Sequence, residues 1–153
     1  MPRRQLVVVH KVSDHKVGED SADLRHWLEG LEGCPPITVT TVASCESPVH
    51  DDEPPTWFYV EGDAREGVAR RRCLACGEVK HVLDSAERWT HPPMHTCPTC
   101  GQSMFEMAAG FHVVDGAVDW LAIGLRCVGC GMLDGLTDMH AGGISVPDAI
   151  PAV

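Results

Sequence analysis

Only one stretch of this chain repeats its apolar residues at helical spacing. Leu24, Trp27, Leu28 and Leu31 form that stripe, with Asp20 or Ser21 placed to cap the helix and Gly30 and Gly33 near its end. Pro35 and Pro36 forbid its continuation. On either side the pattern is strand-like. Residues 5–12 are rich in β-branched side chains, and ITVTTV over 37–42 alternates with a period of two. Further on, 56–60 and 68–72 flank a turn between Gly62 and Gly67, and two longer apolar runs meet at Asp115-Gly116, a dipeptide suited to a tight hairpin turn. The expected fold is mainly β, with a small α+β segment at the N-terminal side.

The strand runs lead into cysteines. CLACG at 73–77, CPTCG at 97–101 and CVGCG at 127–131 are three Cys-x-x-Cys-Gly turns. Two such turns at the open end of a β-hairpin bring four thiolates to the corners of a tetrahedron, the coordination of a structural Zn²⁺. Glycine after the second cysteine admits the left-handed backbone that aims both sulfurs inward. Sliding the chain on itself by 54 residues places Val60 on Val114, Gly62 on Gly116, Arg72 on Arg126, Cys73 and Cys76 on Cys127 and Cys130, and Gly77 on Gly131. The chain therefore reads as two tandem zinc ribbons. The expected division is an N-terminal segment over 1–44, a first ribbon over 45–84, a connector over 85–96, a second ribbon over 97–138 and a flexible tail over 139–153.

Three turns provide six thiolates, whereas two closed sites need eight donors. Cys97, Cys100, Cys127 and Cys130 form one set in the hairpin order. Cys73 and Cys76 then require two more, and the repeat points to the region of Cys45. Cys34 is the first choice for the fourth ligand and His50 its competitor. A second scheme joins Cys73 and Cys76 to Cys97 and Cys100, since their spacing also suits zinc, and leaves Cys127 and Cys130 to His112 or His140.

Composition narrows the function. With four Trp, three Phe and one Tyr in 153 residues, large core side chains are scarce, and metal staples would compensate. The apolar run Leu6–Val9 ends at His10 and Lys11, too short for a secretion signal, and no run reaches membrane-spanning length, so the chain is expected in the cytoplasm without a membrane partner. There, clustered thiols hold metal more often than disulfides. The formal net charge of −10 disfavours general binding to nucleic acid. Arg65, Arg70, Arg71 and Arg72 are the candidate contacts for phosphate or acidic surfaces, and Trp57, Trp89 and Trp120 the candidate anchors for a partner. His10, His15 and His26 lack metal-ligand spacing; His91 and His95 read as connector residues; the acidic run 51–53 reads as a solvated loop. No phosphate loop, hydrolase elbow or other catalytic constellation is present in the sequence.

The segments RCLACG (72–77), WTHPP (89–93), CPTCG (97–101), FEMAAGFH (105–112) and WLAIGLRCVGCG (120–131) together resemble small tandem zinc-ribbon proteins of actinobacteria. That family includes a mycobacterial factor which recruits a hibernation protein to the ribosome in response to zinc. The resemblance covers at most the C-terminal two-thirds. It implies a non-enzymatic adaptor holding two Zn²⁺ and docking on a protein or ribonucleoprotein, the ribosome or a hibernation factor being the most specific partner. A nucleic-acid-binding ribbon of the transcription type, and a dithiol redox or iron protein, are the competing classes.

Overall fold

A computed structural model describes residues 10–12, 15–51 and 53–153. The part of the expected first strand before His10, and Asp52 of the acidic run, lie outside them. The described chain is mainly antiparallel β, with strands β1 (His10–Val12), β2 (His15–Val17), β3 (Val39–Val42), β4 (Phe58–Asp63), β5 (Val68–Cys73), β6 (Val79–His81), β7 (Phe105–Val114), β8 (Ala117–Cys127) and β9 (Met132–Ser145). Helix α1 (Ser21–Glu29) lies between β2 and β3, and a short α2 (Val146–Ala149) leads into a 3₁₀ turn at Ile150–Ala152.

All the strands belong to one sheet, ordered β1-β2-β9-β8-β7-β4-β5-β6, with β3 also paired to β7. The β7–β8 hairpin turns at Asp115 and Gly116, both at positive φ (52° and 80°), as the Asp-Gly signal requires. β7 is covered along its other edge by β3, from Val42 opposite Ala108 to Val39 opposite Phe111, and by β4 at a single pair, Phe58 opposite Phe105. The sheet curls, so that β9 crosses the β4–β5 hairpin: Thr137, on β9, donates its hydroxyl to the Asp63 carbonyl at 3.3 Å.

Strand alternation sorts the core onto two faces. Phe105, Met107, Ala109 and Phe111 of β7 join Phe58, Val60, Leu121, Ile123 and Leu125 in the main cluster. Ala108 and Ala122 face the other way and meet Leu24, Leu28 and Ile37. The helix forms as expected. Asp20 caps it by accepting from the Asp23 N–H, while the Asp23 carboxylate accepts from the Asp20 N–H, a reciprocal pair that satisfies the first turn. Burial of Leu24 and Leu28 then seats it on β7 and β8.

Two expectations are corrected. The N-terminal segment does not stand apart, because β3 pairs with β7 and β2 with β9. Nor is 139–153 a loose tail. β9 continues to Ser145, Ser145 caps α2, and Ala149 and Val153 are buried in the main cluster. The lack of periodicity after Asp138 reflects edge-strand and cap residues rather than absence of structure.

Candidate metal centres

Each Cys-x-x-Cys-Gly turn folds the same way for a local reason. The glycine sits at φ +80° in all three, Gly77, Gly101 and Gly131. Its N–H donates to the carbonyl of the first cysteine, Cys73, Cys97 or Cys127, at 2.8 Å each time. That closes the loop and turns both sulfurs to one side.

Two groups of four donors result. Cys97, Cys100, Cys127 and Cys130 form one, and Cys45, His50, Cys73 and Cys76 the other, with all ligand atoms within 4.8 Å of one another in each. In the first-named group, Sγ atoms of Cys97 and Cys130 are 3.6 Å apart, and those of Cys100 and Cys127 are 3.5 Å apart. In the other, Cys45 and Cys76 are separated by 3.7 Å, and His50 Nε2 lies 3.7 Å from Cys73 Sγ. A tetrahedral ion with metal–sulfur bonds of about 2.3 Å separates its thiolates by about 3.8 Å, so both groups can hold a metal ion with little rearrangement. The pairing of Cys73 and Cys76 with Cys97 and Cys100 is not formed.

The Cys34 assignment is corrected. Its thiol points to the Leu31 carbonyl at 4.0 Å and lines a depression of about 370 Å³ with Trp27, Trp120 and Asp138, on the helix side of the sheet. The main-face cluster instead contains Cys45, which β3 delivers as it leaves β7. His50 takes the fourth place from the irregular loop that follows.

The repeat is likewise sharper on one strand than on the other. The offset of 54 aligns the strands that enter the turns at Cys73 and Cys127. It fails on the preceding strands, where Phe58 opposes Cys73 but Phe105, not His112, opposes Cys127. The β7–β8 hairpin is longer, and Gly62 lies within β4, opposite Ala69, rather than at a turn.

The electrostatics of the sulfurs are uneven. Burial pushes the Cys73 thiol up, but N–H groups of Cys76 and Ala75 and bonds from neighbouring thiols outweigh it and hold the group below its ordinary value. Cys97 behaves likewise, with N–H groups of Cys100 and Thr99 aimed at it. Burial and adjoining sulfurs push Cys45 up to about 11 and Cys130 up to about 12, and Cys127 is also raised, burial leading. Cys73 and Cys97 thus ionise more readily than Cys45, Cys127 and Cys130, and a bound cation would favour the thiolate form of all of these.

Sequence reading left the arginines open, and the structure separates them. Arg71 is buried beneath the site of Cys45 and Cys73; its Nη2 donates to the carbonyls of Ser44 (3.2 Å) and Val153 (2.8 Å), and its guanidinium lies 4.6 Å from the Phe58 ring centre. It is therefore not available to a partner. Arg70 is held by both carboxylate oxygens of Glu61 and stacks on Trp89 at 4.5 Å. Arg65 and Arg72 are exposed, the latter with one long bond to the Gly77 carbonyl. Of the three candidate tryptophans, Trp57 is the exposed one, at 48 %. His95 and His112 serve elsewhere: His95 lies 3.7 Å from Asp134, and His112 Nδ1 2.8 Å from the Pro36 carbonyl.

Sequence reading missed Arg126. This side chain, from the strand entering the last turn, donates to the Gly18 and Glu19 carbonyls and to Glu106, tying the start of α1 to the Cys97–Cys130 site. Its match to Arg72 across the repeat was the available signal. Comparison of the chain with protein-family models, with curated proteins and with solved structures gives no match.

Proposed function

We propose that this protein is a non-enzymatic, zinc-binding adaptor in which each hairpin and its donors make a zinc ribbon, one Zn²⁺ per site. The observation that carries this reading is the pair of closed four-donor groups, whose atoms lie within 4.8 Å of one another. Thiolate and imidazole donors at these distances suit tetrahedral Zn²⁺, and four protein ligands leave no position for a reacting water. Metal at such sites does structural work, and the function then lies on the surface it fixes.

With Arg70 and Arg71 occupied, that surface offers Trp57, Arg65 and Arg72 against a net charge of −10. This balance favours a basic protein or the protein component of a ribonucleoprotein over bare nucleic acid. The most specific version, in keeping with the resemblance of the sequence, is a cytoplasmic, ribosome-associated role that responds to zinc.

Elemental analysis of purified protein is expected to give about two zinc per chain. Sedimentation with ribosomes, at graded zinc, is expected to carry the protein into the pellet. Iron, visible by its colour, would replace the zinc reading; absence from the pellet at every zinc level would end the ribosomal one.

A further inference from the structure

The Cys45–His50–Cys73–Cys76 site and the C-terminal segment meet at a single buried side chain. Arg71 reaches the Ser44 carbonyl, one residue before a ligand, and the Val153 carbonyl with the same Nη2. Its backbone neighbours on β5 include the ligand Cys73. The segment it holds is otherwise pinned by few polar bonds: the Leu83 N–H to the Ala152 carbonyl at 3.0 Å, and Lys80 Nζ to the Pro151 carbonyl. Ala149 and Val153 are its buried apolar contacts.

We propose that metal at the first site acts as a latch for residues 146–153, with Arg71 as the positioning residue that transmits occupancy. The inference rests on the metal-binding reading above and adds regulation to it. One physical path links the ends, from the loop through Arg71 to Val153. Among the described residues between Val42 and Phe58 none lies in a helix or strand. Ser44 sits between the Ala43 N–H bond to the Met107 carbonyl and the Cys45 N–H bond to the Pro55 carbonyl. An ion on Cys45 and His50 would add a tie from this loop to Cys73 and Cys76 at the end of β5. A buried guanidinium held in this way is stable only while its partners stay put. Loss of the ion would remove that tie and leave the Ser44 carbonyl held by its flanking backbone bonds alone, so the grip that Arg71 shares between Ser44 and Val153 weakens. The other site has no such link: its four ligands sit on turns at 97–101 and 127–131, and Arg126 ties it to α1 instead.

Hydrogen exchange on the full chain tests the latch. In His50→Ala, amides over 44–57, those of 150–153 and that of Leu83 are expected to exchange at least about tenfold faster, while 105–127 stay protected as a control for folding. Arg71→Met should loosen 150–153 and Leu83 but retain about two zinc per chain. A chelator titration of the unaltered protein gives a measurement free of mutation: protection at Leu83 should fall in step with that of the 44–57 loop. Unchanged exchange over 150–153 once that loop is mobile would overturn the latch. A wild-type protein that holds no metal would instead overturn the metal-binding reading, and zinc content measured on the same samples separates the two.

Discussion

The two candidate metal sites share one half and differ in the other. Both close on a Cys-x-x-Cys-Gly turn that leaves a strand of a hairpin, with a phenylalanine opposite the first cysteine, and Phe58 and Phe105 pair where the hairpins meet. The opening halves diverge. At one site a second turn of the same kind supplies Cys97 and Cys100; at the other, Cys45 and His50 are separated along an irregular loop. A turn is fixed by its own glycine and its own hydrogen bond, so Cys97 and Cys100 arrive as a preformed pair. Cys45 and His50 are brought together by the path of β3 and by the backbone bonds of the loop, Cys45 N–H to the Pro55 carbonyl and His50 N–H to the Ser47 carbonyl. The Cys45–His50–Cys73–Cys76 site is thus the more costly to organise and the easier to open.

The largest test of this contrast removes a ligand at one site and exchanges one at the other. Cys127→Ala deletes a fully buried member of the main core cluster, and the binding energy of a structural zinc, on the order of 10 kcal/mol, matches the stability of a whole domain. It is expected to abolish cooperative thermal unfolding. His50→Cys should keep metal beside Cys45, Cys73 and Cys76, because it completes a four-cysteine group there, and elemental analysis with a melting curve would check both. If His50→Cys loses the ion while Cys127→Ala folds normally, the ordering of the sites is reversed.

The next contrast lies between the glycines. At Gly77 and Gly101 a Cβ meets nothing within 4 Å, so alanine costs only the left-handed backbone, about 1–2 kcal/mol. At Gly131 a Cβ would sit 2.6 Å from the Gly18 carbonyl oxygen, whose residue also donates its N–H to the Gly131 carbonyl. Gly131→Ala should exceed the other two by roughly 1–3 kcal/mol in chemical denaturation. Equal losses would show that the N-terminal segment does not brace the second site.

Smaller effects follow from the paired arginines. Arg126→Ala breaks bonds to Gly18, Glu19 and Glu106 and is expected to cost about 1.5–3 kcal/mol, whereas Arg72→Ala should stay within about 0.5 kcal/mol. Paired denaturation curves would read the difference. The smallest effect is on pH. Burial, helped by Arg70 and opposed by Glu61, lowers the pKa of His81 below its ordinary value of 6.5. Its neutral form is favoured in the folded state, so the contribution to stability is complete above pH 6.5 and is lost as pH falls through the lower folded value. An NMR titration should find the His81 ring titrating below 6.5, and a value above it would contradict the burial beside Arg70.

Local chemistry was legible in the sequence. The three turns, the Asp115-Gly116 hairpin, the capped helix and the grouping of Cys97, Cys100, Cys127 and Cys130 each depend on residues close along the chain or on one hairpin. Tertiary structure decided the rest. Cys34 and His50 were both reasonable donors by composition, and only the seating of α1 on one face and the route of β3 to the other separate them. Arg70, Arg71 and Arg72 look alike in sequence; strand alternation and the curl of the sheet make one a stacked ion pair, one a buried anchor and one an exposed side chain. The residues after Asp138 carry no periodic signal because their order comes from β8 and from Arg71, partners far away in the chain. Backbone geometry within a turn is set by its own few residues, whereas burial is set by whatever the fold brings across the sheet.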